Sequence, residues 1–493
     1  MSKDLTSNKN NSEILKKNII IFISLLLIVI FRFIPGPTGL STSAMQVLGV
    51  FLGIILLWLT ISIDWPSLLC LAALAFIPEI KFNSMLSGSI GGSTFSFLLF
   101  TFMCTYALSQ TSFVRRCAVA FITSKVAKKG PWWFLISYCA SVLIIGLVMS
   151  PSVLYVIYLP ILDEICNVLR LEKHDKLANT LVMGQTISCG LSSGMTPIAH
   201  VFSIMAMGFY EAATGLTISY AAYMGFAIPV GIICFVIMIL VFKLFLKPDM
   251  SKLSTIDMGS LKKDTNPMEK REIIILSIFF GVIALWVLPG FIKPILPTIA
   301  NYIDSFGTAF PPLLGAVALS IITIDGKSLL SFKDAMSKGV SWASLIMTAA
   351  TLALGSAMTN PEIGLTDWLT SNISPLIGNL SPMILVLVFT LWAAVQTNLS
   401  SNMVTITVVC AVAIPICLAS NGTVSAPAIA SIIGMMGAYA FAAPPAHPNV
   451  ALASASGWTT TGQMMKYGSA IMIISVIVTV LVGYPIAVAL MGY

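Results

Sequence analysis

From Trp132 to Met149 the chain runs for eighteen residues without a charged side chain, and comparable stretches recur along most of its length. An α-helix rises ~1.5 Å per residue, so about 20 such residues cross a hydrocarbon core ~30 Å thick. The composition agrees: 57% of residues are hydrophobic, 9% are charged, and the mean hydropathy is +0.97. These values exclude an ordinary water-soluble fold. The runs are too long and too continuous for the alternating strands of an outer-membrane barrel, so the expected class is an all-α polytopic membrane protein. The net charge of +7 gathers between the runs, at Lys16/Lys17, at Arg115/Arg116 with Lys125, Lys128 and Lys129, at Arg170/Lys173/Lys176, and from Lys243 to Arg271. Such clusters read as cytoplasmic flanks, not as a nucleic-acid surface. Nine cysteines are scattered without CxxC spacing and imply no disulfide framework.

Taken in order, residues 1–17 are polar and read as a disordered cytoplasmic tail, followed by a first span over 18–34. Further spans are predicted at 45–63, 66–80 and 93–112, the last leading into a basic surface segment at 113–130. Two apolar runs then flank Ser150-Pro151-Ser152, with charges only at their outer ends. That pattern predicts a hairpin, although length alone leaves a re-entrant hairpin and two ordinary spans both open. A span at 218–246 completes the first half (18–246), and 247–272, rich in charge, reads as a cytoplasmic linker. The second half (273–493) repeats the plan with spans at 273–289, 309–324 and 341–358, a polar-flanked segment at 360–380, a second hairpin at 383–419 and a final span at 468–491.

Two stretches give the repeat its register: GQTISCGLSSGMTPIAHVFSIMAMG at 184–208 and GMMGAYAFAAPPAHPNVALASAS at 434–456. Each is apolar at both ends and broken in the middle by small residues and proline, and each break closes in Pro-x-Ala-His. Two of the three histidines, His200 and His447, thus lie 247 residues apart (447 − 200) in a chain of 493. Ala107-Leu108 and Ala353-Leu354 share almost the same offset. The fold expected is two inverted repeats, each with a re-entrant hairpin and a broken transmembrane helix. A helix unwinds within a membrane only where protein or a water-filled cavity satisfies its backbone, and paired breaks mark a transporter's binding site.

Hairpin tips and helix breaks expose helix N-termini, whose N–H groups and dipoles attract an anion. Freed carbonyls with Ser, Thr and Asn oxygens suit a hard cation such as sodium. The candidate substrate ligands are Ser150 and Ser152 at the first tip, Ser401, Asn402 and Thr405 at the second, and Thr196 and Asn449 at the breaks. Ser150, Ser401 and Asn402 are also the candidate sodium ligands. For His200 and His447 two readings stand: a neutral imidazole bonded to a nearby carbonyl, or a contact to the anion that titrates. No Asp, Glu, Lys or Arg falls at a tip or break, so a multiply charged anion needs a co-bound cation, a protonated histidine or an exchanged anion.

These residues resemble the divalent anion/sodium symporter (DASS) family of di- and tricarboxylate carriers, which has a Ser-Asn-Thr motif at each hairpin tip and a Thr-Pro-rich motif at each break. Here SPSVLYVIYLP from Ser150 to Pro160 keeps the spacing from tip to proline, Ser401-Asn402 matches the second tip, and Thr196-Pro197 and Pro448-Asn449 match the breaks. The resemblance covers almost the whole chain after the N-terminal tail. It implies a homodimer in the cell membrane whose mobile transport part slides as an elevator, with sodium as the coupling ion and no organic cofactor. Three positions depart from the family pattern: Pro151 stands for Asn, Ser152 for Thr, and Met403 for Thr. The leading function is a secondary carrier, by symport or exchange, of small organic anions, most simply di- or tricarboxylates. The alternative is a sulfate-type or monocarboxylate carrier without sodium coupling. An intramembrane protease lacks its HExxH motif here. A channel or a transport-incompetent sensor would keep the same fold.

Overall fold

The computed structural model describes residues 2–255, 267–377, 381–420, 422–444 and 446–492, nearly all of it helical. The first half runs α1 (Ser2–Ile30), α2 (Thr42–Thr60), α3 (Trp65–Leu74), α4 (Phe82–Ser89), α5 (Ser93–Ser109), α6 (Phe113–Ile122), α7 (Pro131–Gly146), α8 (Pro151–Val168), α9 (Lys176–Met195), α10 (Val201–Thr214) and α11 (Tyr220–Val241). The second runs α12 (Lys270–Ile292), α13 (Pro297–Asp304), α14 (Phe310–Ile321), α15 (Trp342–Thr359), α16 (Leu365–Ile377), α17 (Pro382–Leu399), α18 (Asn402–Ala419), α19 (Ala426–Ala438), α20 (Pro448–Ala455), α21 (Thr461–Val478) and α22 (Tyr484–Met491). Among the described residues eight helices are long and apolar enough to cross a membrane.

The spans fall where the apolar runs place them, with three differences. The polar stretch 2–17, expected as a disordered tail, continues α1 toward the N-terminus. Its Glu, Leu and Lys residues are good helix formers and extend a helix that the apolar half has already nucleated. The stretch before Ser93 contains a helix that the sequence reading passed over: α4 and α5 meet at 41° across Gly91-Gly92. The second half begins at Lys270, inside the expected linker, because Glu269 and Glu272 form a reciprocal capping box there. Linker residues 256–266 lie outside the described residues.

Both hairpins form. α7 has sixteen residues, about 24 Å at ~1.5 Å per residue, short of the ~30 Å core. The turns end inside protein: Met149 and Pro151 are buried at the first, Asn398 and Asn402 at the second. Both helix breaks form too. The first spans 196–200 between α9 and α10; the second spans 439–447 between α19 and α20. The order of hairpin, broken helix and span therefore recurs in the two halves.

The broken helices are the centre of the molecule. Residues 177–195 of α9 and all of α19 are buried. Glycines make this density attainable, because α9 presents Gly190 and Gly194 to the rings of Phe441 and Tyr439 from the second break. α19 returns the favour at Gly434, where an added Cβ would lie 2.8 Å from the Cα of Ser203 on α10. Beyond α20, Trp458 donates to Asp163 of α8 at 2.6 Å, Lys173 covers its ring at 3.5 Å, and Thr459 bonds Asn179 of α9. This anchor holds the second break against the first half. On the opposite flank Arg116 of α6 pairs with Glu272 of α12.

Gly434→Ala forces backbone apart and should cost about 1–3 kcal/mol. Its melting temperature in detergent should fall by several degrees. Gly281→Ala, where no atom lies within 4 Å of the new Cβ, should leave it level or raised, since alanine favours a helix interior over glycine by ~1 kcal/mol. Equal melting temperatures would contradict the tight α10–α19 contact.

Candidate functional site

The two breaks end alike. His200 is the residue before α10, with φ −151° and ψ 156°; His447 is the residue before α20, with φ −150° and ψ 142°. Their rings meet edge-on, with centroids 6.2 Å apart, although 247 residues separate them in sequence. Phe202 lies against His200 at 3.7 Å and fixes its plane.

Each tip is tied to a break. At the first, the Thr196 hydroxyl donates to the carbonyl of Leu147 and accepts from the N–H of Ala199. At the second, Thr397 donates to Gly437 O at 2.9 Å, and Asn398 donates to Tyr439 O at 2.8 Å while its Oδ1 accepts from Phe441 N and Ala442 N at 3.0 and 2.9 Å. One amide thus satisfies three main-chain groups that the unwinding of α19 leaves free. The halves also cross over: Asn449 Nδ2 donates to the Pro151 carbonyl and to Cys189 Sγ, both at 3.3 Å.

Against this internal bonding stand polar atoms with no partner. Asn402, 4% exposed, has neither Oδ1 nor Nδ2 bonded; Asn449 Oδ1, His200 Nδ1 and Thr101 Oγ1 are likewise buried and alone. A buried polar group without a partner costs about 1–3 kcal/mol, which a bound ligand recovers. A cavity of about 250 Å³ opens beside two of these residues, Thr101 and His200, and is lined also by Ser150 and Ser152, by Thr105 of α5 and by Ser344 of α15, with no charged side chain on its wall.

Of the predicted residues, Ser150, Ser152 and His200 line the cavity, and the neighbouring Thr196 closes the turn beneath it. His447 and Asn449 reach the same region through the adjacent imidazoles and the Asn449–Pro151 bond. Ser401, Asn402 and Thr405 do not border this cavity. Thr405 donates back to the Ser401 carbonyl at 3.0 Å and so is bonded within its own helix. Of the three candidate sodium ligands, Ser150 alone lines this cavity, and Ser401 and Asn402 belong to the other tip. Among the described residues no cluster of His, Cys, Asp and Glu could hold a transition metal. The sequence reading missed Asn398, Phe202 and Thr101. Only Asn398 carried a signal, as a polar residue one turn before Asn402 in an apolar run.

Residues 15–491 match the family described as the sodium:sulfate symporter transmembrane region. The chain belongs to this family. It is the one that the tips and breaks resembled, so the protein is a multi-pass membrane transporter and not an enzyme. Among curated relatives of this chain, the sodium-dependent dicarboxylate transporter SdcS of Staphylococcus saprophyticus is 24% identical over 481 residues, 95% of this chain and 91% of its own. Dicarboxylate transporter 1 of spinach chloroplasts is 22% identical over 367 residues, 72% of this chain and 61% of its own. Among solved structures the YdaH transporter of Alcanivorax borkumensis shares the fold at a TM-score of 0.55, with 12% identity, over 83% of this chain and 87% of its own.

Asn402→Leu removes two unpaired polar atoms and loses no protein hydrogen bond. The ligand-free transporter should therefore melt at the same temperature or higher, while stabilisation by an added substrate anion disappears. A fall of several degrees in the unliganded variant would show that Asn402 is a structural residue.

Proposed function

We propose that this protein is a secondary active transporter of small organic anions, di- or tricarboxylates above all, coupled to sodium in the cell membrane. One observation carries the reading. Four helices begin at the tips and breaks, after Ser150, His200, Ser401 and His447, and in three of them no side chain caps the start. Each free N-terminus carries about +0.5 of a charge, so the three together supply roughly +1.5. A divalent anion matches that field, and the uncharged cavity wall leaves the dipoles and a co-bound cation to meet its charge.

The unpartnered amide oxygens of Asn402 and Asn449 are hard donors suited to sodium beside the anion. The two relatives named as dicarboxylate transporters support carboxylates as the substrate class. The two halves act as inverted repeats in this reading: hairpins and broken helices form the moving part, which slides as an elevator against the remaining spans, and two copies form a dimer. A sulfate-type or monocarboxylate carrier without sodium coupling is the second reading, favoured by Pro151, which leaves the first tip without a side-chain amide of its own.

Proteoliposomes loaded with potassium and given labelled succinate, citrate or sulfate separate these readings. Saturable carboxylate uptake that rises at least tenfold with an inward sodium gradient is expected. Asn449→Ala should raise the sodium concentration for half-maximal uptake by about tenfold. Uptake of sulfate alone, indifferent to sodium, would favour the second reading, and no saturable uptake of any anion would refute both.

A further inference from the structure

Two histidines from opposite halves of the chain approach each other, His200 on the cavity wall and His447 beside it, and their hydrogen bonding differs. His447 Nδ1 accepts the backbone N–H of Asn449 at 3.2 Å and so caps α20. A ring nitrogen that accepts carries no proton, so the proton of His447 sits on Nε2. Protonating Nδ1 would set one donor against another and undo the cap. His447 is therefore held as a neutral imidazole with one N–H to offer. His200 caps nothing: its Nδ1 is buried without a partner, its ring lies on Phe202, and it lines the cavity.

No hydrogen bond joins the two rings. Their centroids, 6.2 Å apart at 63° between planes, leave room for one small group accepting from both at N···O distances of about 2.7–3.2 Å. A carboxylate has that size, with two oxygens for two donors. We infer that His200 and His447 form a two-sided clamp on one carboxylate of the substrate, gripping it with a neutral N–H from each half of the chain. The inference rests on the transport reading above and deepens it by assigning the recognition of one carboxylate to these two side chains. The histidines act as selective donors, and the helix ends supply the field.

The test is a double-mutant cycle on succinate uptake, or citrate uptake where the wild type accumulates citrate. Asparagine is the substitution of choice, since it is a strong helix N-cap: His447→Asn keeps the start of α20 while removing the imidazole. His200→Asn and His447→Asn should each raise KM about tenfold with kcat changed less than threefold. The double variant should rise little beyond either single one, because a carboxylate released on one side no longer holds the other. His447→Ala should show the same KM defect and, having lost the cap, a lower melting temperature than His447→Asn. A folded single variant with unchanged KM, or a double variant whose effect is the product of the two singles, overturns the clamp. Wild type that takes up only sulfate also overturns its carboxylate specificity. Wild type without any saturable uptake instead sinks the transport reading.

Discussion

Everything at the centre of this protein follows from the cost of unwinding a helix where no water can reach it. An orphaned backbone N–H or C=O in a bilayer costs several kcal/mol, yet α9 and α19 both end inside the protein. The second break meets that cost with a single side chain, Asn398, whose amide bonds Tyr439, Phe441 and Ala442. The first uses Thr196, whose hydroxyl accepts the Ala199 N–H of the break and donates across to the Leu147 carbonyl. In each half, then, a hairpin tip and a helix break are joined by hydrogen bonds. The polar atoms left over after this internal satisfaction, on Asn402, Asn449 and His200, are the ones free to meet a ligand. Structure and site are two shares of one set of hydrogen bonds.

Dense packing is what lets those two shares meet. Gly190 and Gly194 admit Phe441 and Tyr439, and Gly434 admits the backbone at Ser203. Larger residues would hold the broken helices apart and separate His200 from His447. Attraction between spans in a membrane comes from close packing and polar contacts and not from the hydrophobic effect, so small residues at the crossing are the expected means.

Much of this was legible in the sequence. The uninterrupted apolar runs give the spans, and the repeated Pro-x-Ala-His places two histidines at equivalent helix starts, where the structure gives them nearly the same backbone conformation. The tips were visible as polar residues between uncharged arms. What remained hidden was mostly long-range. Asn398 looked like one more tip residue because its partners lie more than forty positions later. Thr101 and Ser344 joined the cavity from spans whose hydroxyl stripes, Thr101/Thr105/Ser109 and Ser344/Thr348/Thr351, point to no partner within their own sequence neighbourhood. The bend at Gly91-Gly92 escaped because the short α4 before it is too polar to read as a span. The helical extension of α1 over 2–17 shows the converse error, in which polar composition was taken for disorder.

Proline placement shows how the two halves divided their work. α8 and α20 begin with Pro151 and Pro448, whereas α10 and α18 begin with Val201 and Asn402. Proline at the first helical position removes a backbone donor that would otherwise face the site. The full sets of N–H donors therefore lie at one start from each half, after His200 and after Ser401, and these are the stronger anion ends. The other two starts are joined to each other: Asn449, second residue of α20, bonds the carbonyl of Pro151, first residue of α8. An amide missing from the first tip is thus supplied from the second break, with its own oxygen left unpartnered. Pro151 need not mean that the tip has lost its amide chemistry, because the opposite half of the chain carries an amide to the same place.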